Sequence, residues 1–190
     1  MSLQKANTGF TLLEMMIVTV ILTVVILGIL HASEQGQRFT TMGINTAYLN
    51  TQTERAVRVI AMELMNTNTD NIITPLQPPL GLRGTLSEMN AVDEFSIQVI
   101  EGYDDDVSEI IWSNPITYSW QPSDTDPTEG DLFRTDAVGN STTVLRNVPL
   151  NGFQIALDGD TILLGLSSQD DIKDFGLYIA SYETEVVVRN

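Results

Sequence analysis

Carboxylates are the residues best suited to chemistry in this chain of 190 residues, since Asp and Glu together number 25. Two acidic runs stand out, Asp104–Asp106 and a group further along the chain. The second group consists of Asp124, Asp126, Glu129 and Asp131. Loops rich in carboxylate oxygens suit Ca²⁺, so these four residues are candidate calcium ligands. A solvated acidic loop is the alternative, because the spacing is not that of an EF-hand and Pro127 interrupts it.

The composition argues against most other kinds of site. The chain has no Cys, which excludes thiol chemistry and Cys₂His₂ zinc sites. Its one His, His31, follows an apolar segment and is poorly placed as the base of a Ser-His-Asp triad. A formal net charge of −16 argues against nucleic-acid binding, because phosphate contacts need a basic patch. We therefore expect no enzyme activity, no catalytic residue and no cofactor apart from Ca²⁺.

Glu14 is the single charged residue in an apolar run from Phe10 to Leu30. A helix over this run would be about 31 Å long, which matches a bilayer core of about 30 Å. A carboxylate inside a membrane helix costs about 2.5–3.5 kcal/mol by insertion scales and normally marks a function with a partner nearby. The run therefore predicts a membrane segment in which Glu14 has a specific role.

The short polar leader before this run, residues 1–9, ends in Gly9. A secretory signal peptide is cut after its apolar core, and the stretch Leu30-His31-Ala32 is a poor cleavage site of that kind. A cut after Gly9 would instead keep the apolar helix and place a new α-amine on Phe10, about one helical turn from Glu14. The ammonium of one copy could then neutralise Glu14 of a neighbour within an apolar assembly. Such an arrangement would build a polymer of helices.

The segment Gly9-Phe10-Thr11-Leu12-Leu13-Glu14, followed by an apolar run, resembles the class III signal of type IV prepilins and type II secretion pseudopilins. The resemblance implies that a prepilin peptidase cuts after Gly9 and methylates Phe10, and that Glu14 is needed for efficient assembly. It also implies three kinds of partner: other pilins or pseudopilins, the prepilin peptidase and the inner-membrane assembly platform.

A helical pattern continues without Pro to about Asn66, so one long helix is predicted over 10–66 with its transmembrane and assembly segment at 10–30. Its apolar stripe consists of Leu49, Ala56, Val57, Ile60 and Leu64. The intervening polar residues, predicted to face elsewhere, are Gln52, Glu54, Arg55, Arg58 and Glu63. Glu54 and Arg58 also form a favourable i,i+4 pair.

A connecting loop is predicted over 67–86, because Pro75, Pro78 and Pro79 forbid a continuing helix. The pattern then alternates apolar and polar residues, for example from Phe95 to Val99 and from Ile116 to Trp120. Turn residues separate such runs, which predicts about seven or eight short antiparallel strands over 87–190. The predicted fold is α+β, with a long N-terminal helix packed on an antiparallel β-sheet domain, as in type IV pilins.

A second resemblance covers roughly residues 110–160 and is to the J-type pseudopilin of type II secretion and the related W-type minor pilin. It rests on four segments in order: Ile116–Tyr118, Asp131–Arg134, Val144–Val148 and Gly152–Ile155. The chain also lacks the C-terminal Cys pair of many major pilins, and His31 stands where many have a helix-kinking Pro. Both departures favour a minor component.

The sequence therefore predicts a minor pilin or pseudopilin, a structural subunit of a type IV pilus or a type II secretion pseudopilus. It would be held in the cytoplasmic membrane by one span, with the C-terminal domain periplasmic or otherwise extracytoplasmic; Lys5 on the leader fits a cytoplasmic N-terminus. The alternative is a membrane-tethered β-domain that binds a ligand or Ca²⁺ and does not polymerise. Cleavage after Gly9 distinguishes the two, because a tether has no reason to be cut there.

Overall fold

The computed structural model describes residues 11–73, 93–158, 160–172 and 175–188. Its first element is a helix, α1 (Leu12–Leu64), of 53 residues. The helix passes through Gly28, Gly36 and Gly43 without interruption and ends two residues before the predicted limit. The chain divides into two compact units, residues 1–44 and 45–190, and α1 supplies residues to both.

In the first unit, every described residue from Thr11 to Thr41 is exposed, including the described part of the apolar run. Two polar side chains in this run are satisfied within the helix. The Thr19 hydroxyl donates to the Met15 carbonyl oxygen at 2.7 Å, and the Thr23 hydroxyl donates to the Thr19 carbonyl oxygen at 2.8 Å. The helix is thus long enough and apolar enough here to cross a membrane, with no hydroxyl of these two residues left unpaired.

The second unit contains a short 3₁₀ helix (Thr69–Asn71) and β-strands. Nine strands lie within the described ranges: β1 (Glu94–Ile97), β2 (Ile100–Asp104), β3 (Glu109–Trp112), β4 (Ile116–Pro122), β5 (Glu129–Thr135), β6 (Ser141–Pro149), β7 (Phe153–Asp158), β8 (Thr161–Ile172) and β9 (Gly176–Val187). This is slightly more than the seven or eight expected. Residues 74–86 of the predicted connecting loop and residues 87–92 of the predicted β-domain lie outside the described residues.

All strand pairs are antiparallel, and the strands form three groups. Sheet A has the order β1-β4-β5-β6, sheet B has the order β7-β8-β9, and β2 and β3 form a separate two-stranded ribbon. The four segments of the second resemblance fall on β4, β5, β6 and the start of β7. The predicted α+β class, a long N-terminal helix packed on antiparallel sheets, is confirmed.

The core of the second unit lies between the C-terminal part of α1 and the sheets. The predicted stripe is confirmed, because Leu49, Ala56, Val57, Ile60 and Leu64 are all buried. From the sheets, the largest fully buried side chains include Phe95, Tyr118, Leu132, Phe153 and Leu164. The buried hydroxyls of Thr53 and Ser168 also lie 2.5 Å apart and join α1 to β8.

Two of the polar residues predicted to face away from the core do not do so. Gln52 and Glu63 are half-buried, whereas Glu54, Arg55 and Arg58 are exposed as predicted. Position 63 lies at the edge of the buried face of the helix, where side-chain length and an available partner decide its direction. For Glu63, that partner is Arg134 on β5.

Candidate functional site

The described part of the assembly segment begins with a reciprocal pair of residues, Thr11 and Glu14. The Thr11 backbone N–H and hydroxyl donate to Oε2 of Glu14 at 2.8 and 3.0 Å, and the Glu14 backbone N–H donates to Oγ1 of Thr11 at 3.2 Å. Thr11 precedes the first helical residue and Glu14 is the third, so the two form a capping box. The pair satisfies two backbone donors that the start of a helix leaves free.

The capping box was not predicted, although the sequence carries its signal. The pattern Thr-x-x-Glu directly before an apolar run predicts a helix start, and here it coincides with the residues of the pilin-type signal. Glu14 therefore has a structural role within its own chain in addition to the predicted role in assembly. Gly9 and Phe10, the predicted cleavage and methylation positions, lie outside the described residues.

The helix on both sides of Glu14 presents side chains that suit a lipid or protein environment. Leu12, Leu13, Met16, Ile17 and Val20 are each more than half exposed, and the other large apolar side chains to Leu30 are also exposed. An unassembled chain cannot leave such a surface in water, because the cost of apolar exposure grows with area. The segment must lie in a membrane or against other apolar helices.

Residues 4–30 match one family, described as the prokaryotic N-terminal methylation motif. The N-terminus carries a pilin-type processing signal. The match covers residues 4–9 of the leader, Phe10, the capping box and the apolar run, and it supports a type IV pilin-like protein. No curated protein and no solved structure matches the chain significantly.

Together the motif and the apolar helix indicate a pilin-like protein that is processed by a prepilin peptidase and assembles with other pilins. They also fit a single-pass protein of the inner membrane. The match ends at residue 30, so it carries no information on the β-domain.

The four candidate calcium ligands lie in and around the β4–β5 connection, and most of them have partners within the chain. Asp126 accepts hydrogen bonds from Thr128, at 2.8 Å from the backbone nitrogen and 2.6 Å from the hydroxyl, and these bonds lower the pKa of Asp126. Glu129 accepts a bond from Gln169 at 3.1 Å. Asp131 accepts one from the Asn147 backbone N–H at 3.2 Å.

Three of these carboxylates, those of Asp124, Glu129 and Asp131, line an open cavity of about 470 Å³ that Arg146 also lines, but Asp126 does not. Among the described residues, no three His, Asp or Glu side chains are arranged so that they could hold a metal ion. The two hydrogen bonds that Asp126 accepts from Thr128 explain the position of its carboxylate without any ion. Calcium binding by this loop stays a prediction from sequence.

A polar cluster in the second unit, not predicted from sequence, joins α1 to sheet A. Oε1 of Glu63 accepts from Nε of Arg134 at 2.9 Å, and Oε2 accepts from the Tyr118 hydroxyl at 2.6 Å. Burial, and next the bond to Glu63, raise the pKa of Tyr118 well above its usual value. The bond to Glu63 raises the pKa of Arg134. The cluster fixes the helix on the sheet.

Proposed function

We propose that this protein is a minor pilin or pseudopilin that is incorporated into a type IV pilus or a type II secretion pseudopilus. The observation that carries the proposal is the continuity of residues 4–30, where a methylation motif leads directly into an exposed apolar helix. A subunit of this kind acts by assembly, so it needs no catalytic residue of its own.

In the proposed reaction sequence, a prepilin peptidase cuts between Gly9 and Phe10 and methylates the new α-amine of Phe10. The mature chain stays in the inner membrane by its apolar helix, with the β-domain on the periplasmic side. The new ammonium group of one subunit then pairs with Glu14 of a neighbour, since an unpaired carboxylate in an apolar assembly is costly. Glu14 exchanges its intrachain bonds with Thr11 for this partner.

Among minor subunits, the J-type pseudopilin and the W-type minor pilin are the types that the β-domain resembles. The support is that the four quoted segments occupy consecutive strands, β4 to β7. Their apolar members Ile116, Leu132, Leu145 and Phe153 are all buried. Partners would then be other pilins or pseudopilins and the assembly platform of the inner membrane.

The N-terminal mass of the protein from its own membrane tests the proposal. The chain is purified from cells with and without the prepilin peptidase, and the N-terminal peptide is measured by mass spectrometry. We expect a mature chain that starts at Phe10 and carries one additional methyl group, only where the peptidase is present. An intact Met1 terminus in both strains, or a cut near Ala32, would overturn the proposal and leave a tethered or secreted β-domain.

A further inference from the structure

Within the described residues, the β2–β3 ribbon is separate from the two larger sheets and carries a half-exposed apolar face. Its register pairs Ile100 with Trp112 and Tyr103 with Ile110, with a bulge between Ile100 and Gly102. Residues directly opposite each other in a ribbon point to the same face. Ile110 and Trp112 are two residues apart on β3 and therefore also share a face, so both pairs lie on one face of the ribbon. Ile100, Tyr103 and Ile110 are 41%, 56% and 48% exposed. An exposed apolar face of this kind marks an interaction site.

The same ribbon is strongly acidic. Residues 100–112 contain no Lys or Arg, and their carboxylates are those of Glu101, Asp104, Asp105, Asp106 and Glu109. The three consecutive Asp residues lie at the turn between β2 and β3. A partner for this ribbon must therefore combine an apolar surface with positive charge.

The outer face of α1 in the same unit has that combination. Arg55, Arg58 and Met62 lie on α1, and Met65 directly follows its last residue, with its backbone N–H still bonded to the Ala61 carbonyl oxygen at 3.0 Å. At 3.6 residues per turn, these four residues lie within an arc of about 80°. Their arc is opposite the buried stripe, and Met62 and Met65 are 51% and 52% exposed. This set of four residues is the outer helix face.

The positive charges of the outer helix face are available to a partner. Arg58 binds Glu54 at 2.7 Å, but its side chain is 70% exposed and such pairs are worth little. Arg55 forms no ion pair in the described ranges of the chain. In a protein with 25 acidic and 9 basic residues, two Arg beside two exposed Met form a distinctive surface.

We propose that the β2–β3 ribbon of one copy docks on the outer helix face of a second copy of this chain. The carboxylates of the ribbon turn, Asp105 and Asp106, meet Arg55 and Arg58, and the apolar face meets Met62 and Met65. Asp104 and Glu109 pair on the opposite face of the ribbon and take no part. Tyr, Trp, Met and Arg, which the two surfaces supply, are the residue types enriched at the centres of protein interfaces. The proposal rests on the proposed function, because assembly is what brings copies together.

The two surfaces differ, so the contact is heterologous. A heterologous contact repeats from copy to copy in one direction and gives an open array, whereas a two-fold contact closes as a dimer. This polarity suits a fibre subunit and gives the test its form: cross-links must join the ribbon to the helix face, and neither surface to itself.

The absence of Cys makes a clean cross-linking experiment possible with the full chain in membrane vesicles. One tagged copy carries Val107→Cys at the ribbon turn, and a second, differently tagged copy carries Thr51→Cys beside the outer helix face. With a short bismaleimide, we expect the mixed product at least fivefold above either self-product. Val138→Cys, on an 86% exposed side chain in the β5–β6 turn, replaces Val107→Cys as the control.

A charge exchange then tests complementarity. Asp105→Lys with Asp106→Lys on the ribbon copy, or Arg55→Glu on the helix copy, should each lower the mixed product at least threefold. The two changes together should restore it. An unchanged far-UV circular dichroism spectrum of each variant in detergent excludes misfolding. Tryptophan fluorescence is not used as this control, because Trp112 lies on the docking face of the ribbon.

The inference would be overturned if either self-product were as abundant as the mixed product, or if the mixed product were no more abundant than with Val138→Cys. It would also be overturned if the charge changes left the mixed product unchanged, or if the ribbon formed cross-links only with other proteins. None of these results would affect the proposed function, since processing at Gly9 and methylation of Phe10 are measured independently by N-terminal mass.

Discussion

Arg134 binds Glu63 through two nitrogens, Nε at 2.9 Å and Nη2 at 2.8 Å, both on Oε1. The residues are 71 positions apart, and the bond fixes the C-terminal part of α1 on β5. Both side chains are less than a quarter exposed, so the pair is shielded from solvent more than the surface pair of Glu54 and Arg58. Glu63 and Glu54 therefore allow a shielded and an exposed ion pair to be compared on the same helix.

Glu63→Ala should lower the free energy of unfolding by about 2–3 kcal/mol, because it leaves the Arg134 guanidinium and the Tyr118 hydroxyl without their acceptor. Glu54→Ala, the control, should cost less than about 1 kcal/mol. The measurement is chemical denaturation of the full chain in detergent, followed by tryptophan fluorescence. A double variant, Glu63→Met with Arg134→Met, should recover much of the lost free energy of unfolding. Equal losses in Glu63→Ala and Glu54→Ala would contradict the role of the cluster.

The Tyr118 hydroxyl predicts a dependence of stability on alkaline pH. Burial and the bond to Glu63 raise the pKa of Tyr118 in the folded chain, whereas an unfolded Tyr has a pKa of about 10. Above pH 10 the unfolded state therefore binds fewer protons than the folded state, and stability falls as pH rises. The contribution is complete below pH 10 and is lost above it by about 1.4 kcal/mol per pH unit.

Tyr118→Phe should remove this slope between pH 10 and 11.5, although it lowers stability at neutral pH by the loss of one hydrogen bond. Unfolding curves at several pH values measure the slope directly. Tyr103→Phe, at an exposed tyrosine, is the matched control. The same alkaline slope in wild type and Tyr118→Phe would show that Tyr118 ionises as readily in the folded chain as in the unfolded one.

Gly130 allows β5 to approach β4 closely. A Cβ at this position would meet the carbonyl oxygen of Gln121, together with backbone atoms of Gln121 and Pro122, and none of these can rotate away. Gly130→Ala should therefore destabilise the domain by about 1–3 kcal/mol. Gly102→Ala, where the nearest side-chain atom, on Ile111, is 3.9 Å from the added Cβ, should cost less than about 1 kcal/mol. Thermal unfolding of both variants measures the difference.

The sequence predicted the elements whose signals are local. The stripe from Leu49 to Leu64 indicated the buried side of α1, and alternation indicated strands such as those at Phe95 and Ile116. The capping box of Thr11 and Glu14, which was not predicted, also has a local pattern as its signal. These features depend on neighbours within a few residues along the chain.

The features that the sequence did not predict depend on distant partners. Glu63 was expected to face away, since a charged residue beside an apolar stripe normally lies in solvent. Its partners Arg134 on β5 and Tyr118 on β4 reverse this. The β2–β3 ribbon was not predicted, because the consecutive residues Ile110, Ile111 and Trp112 do not alternate with polar ones. The four acidic residues of the candidate calcium loop were close in sequence, but three line the cavity and Asp126 bonds to Thr128.

Glu14 has two roles that can be separated by substitution, one as the cap of its own helix and one as the charged partner of a neighbouring N-terminus. Glu14→Gln keeps the capping box, which accepts Gln in place of Glu, and removes the charge. Glu14→Ala removes both. If charge pairing drives assembly, both variants should stay in the membrane, and their incorporation into fibres should fall by at least tenfold to a similar level.

Thr11→Val completes this comparison, because it removes the hydroxyl of the cap and leaves the Glu14 charge in place. We expect its incorporation to fall much less than that of Glu14→Gln, with normal processing at Gly9 in all three variants. The measurement is the amount of each variant in sheared fibres relative to the membrane fraction, by immunoblot. Normal incorporation of Glu14→Gln beside a defect in Thr11→Val would assign the function of Glu14 to helix capping and would refute charge pairing.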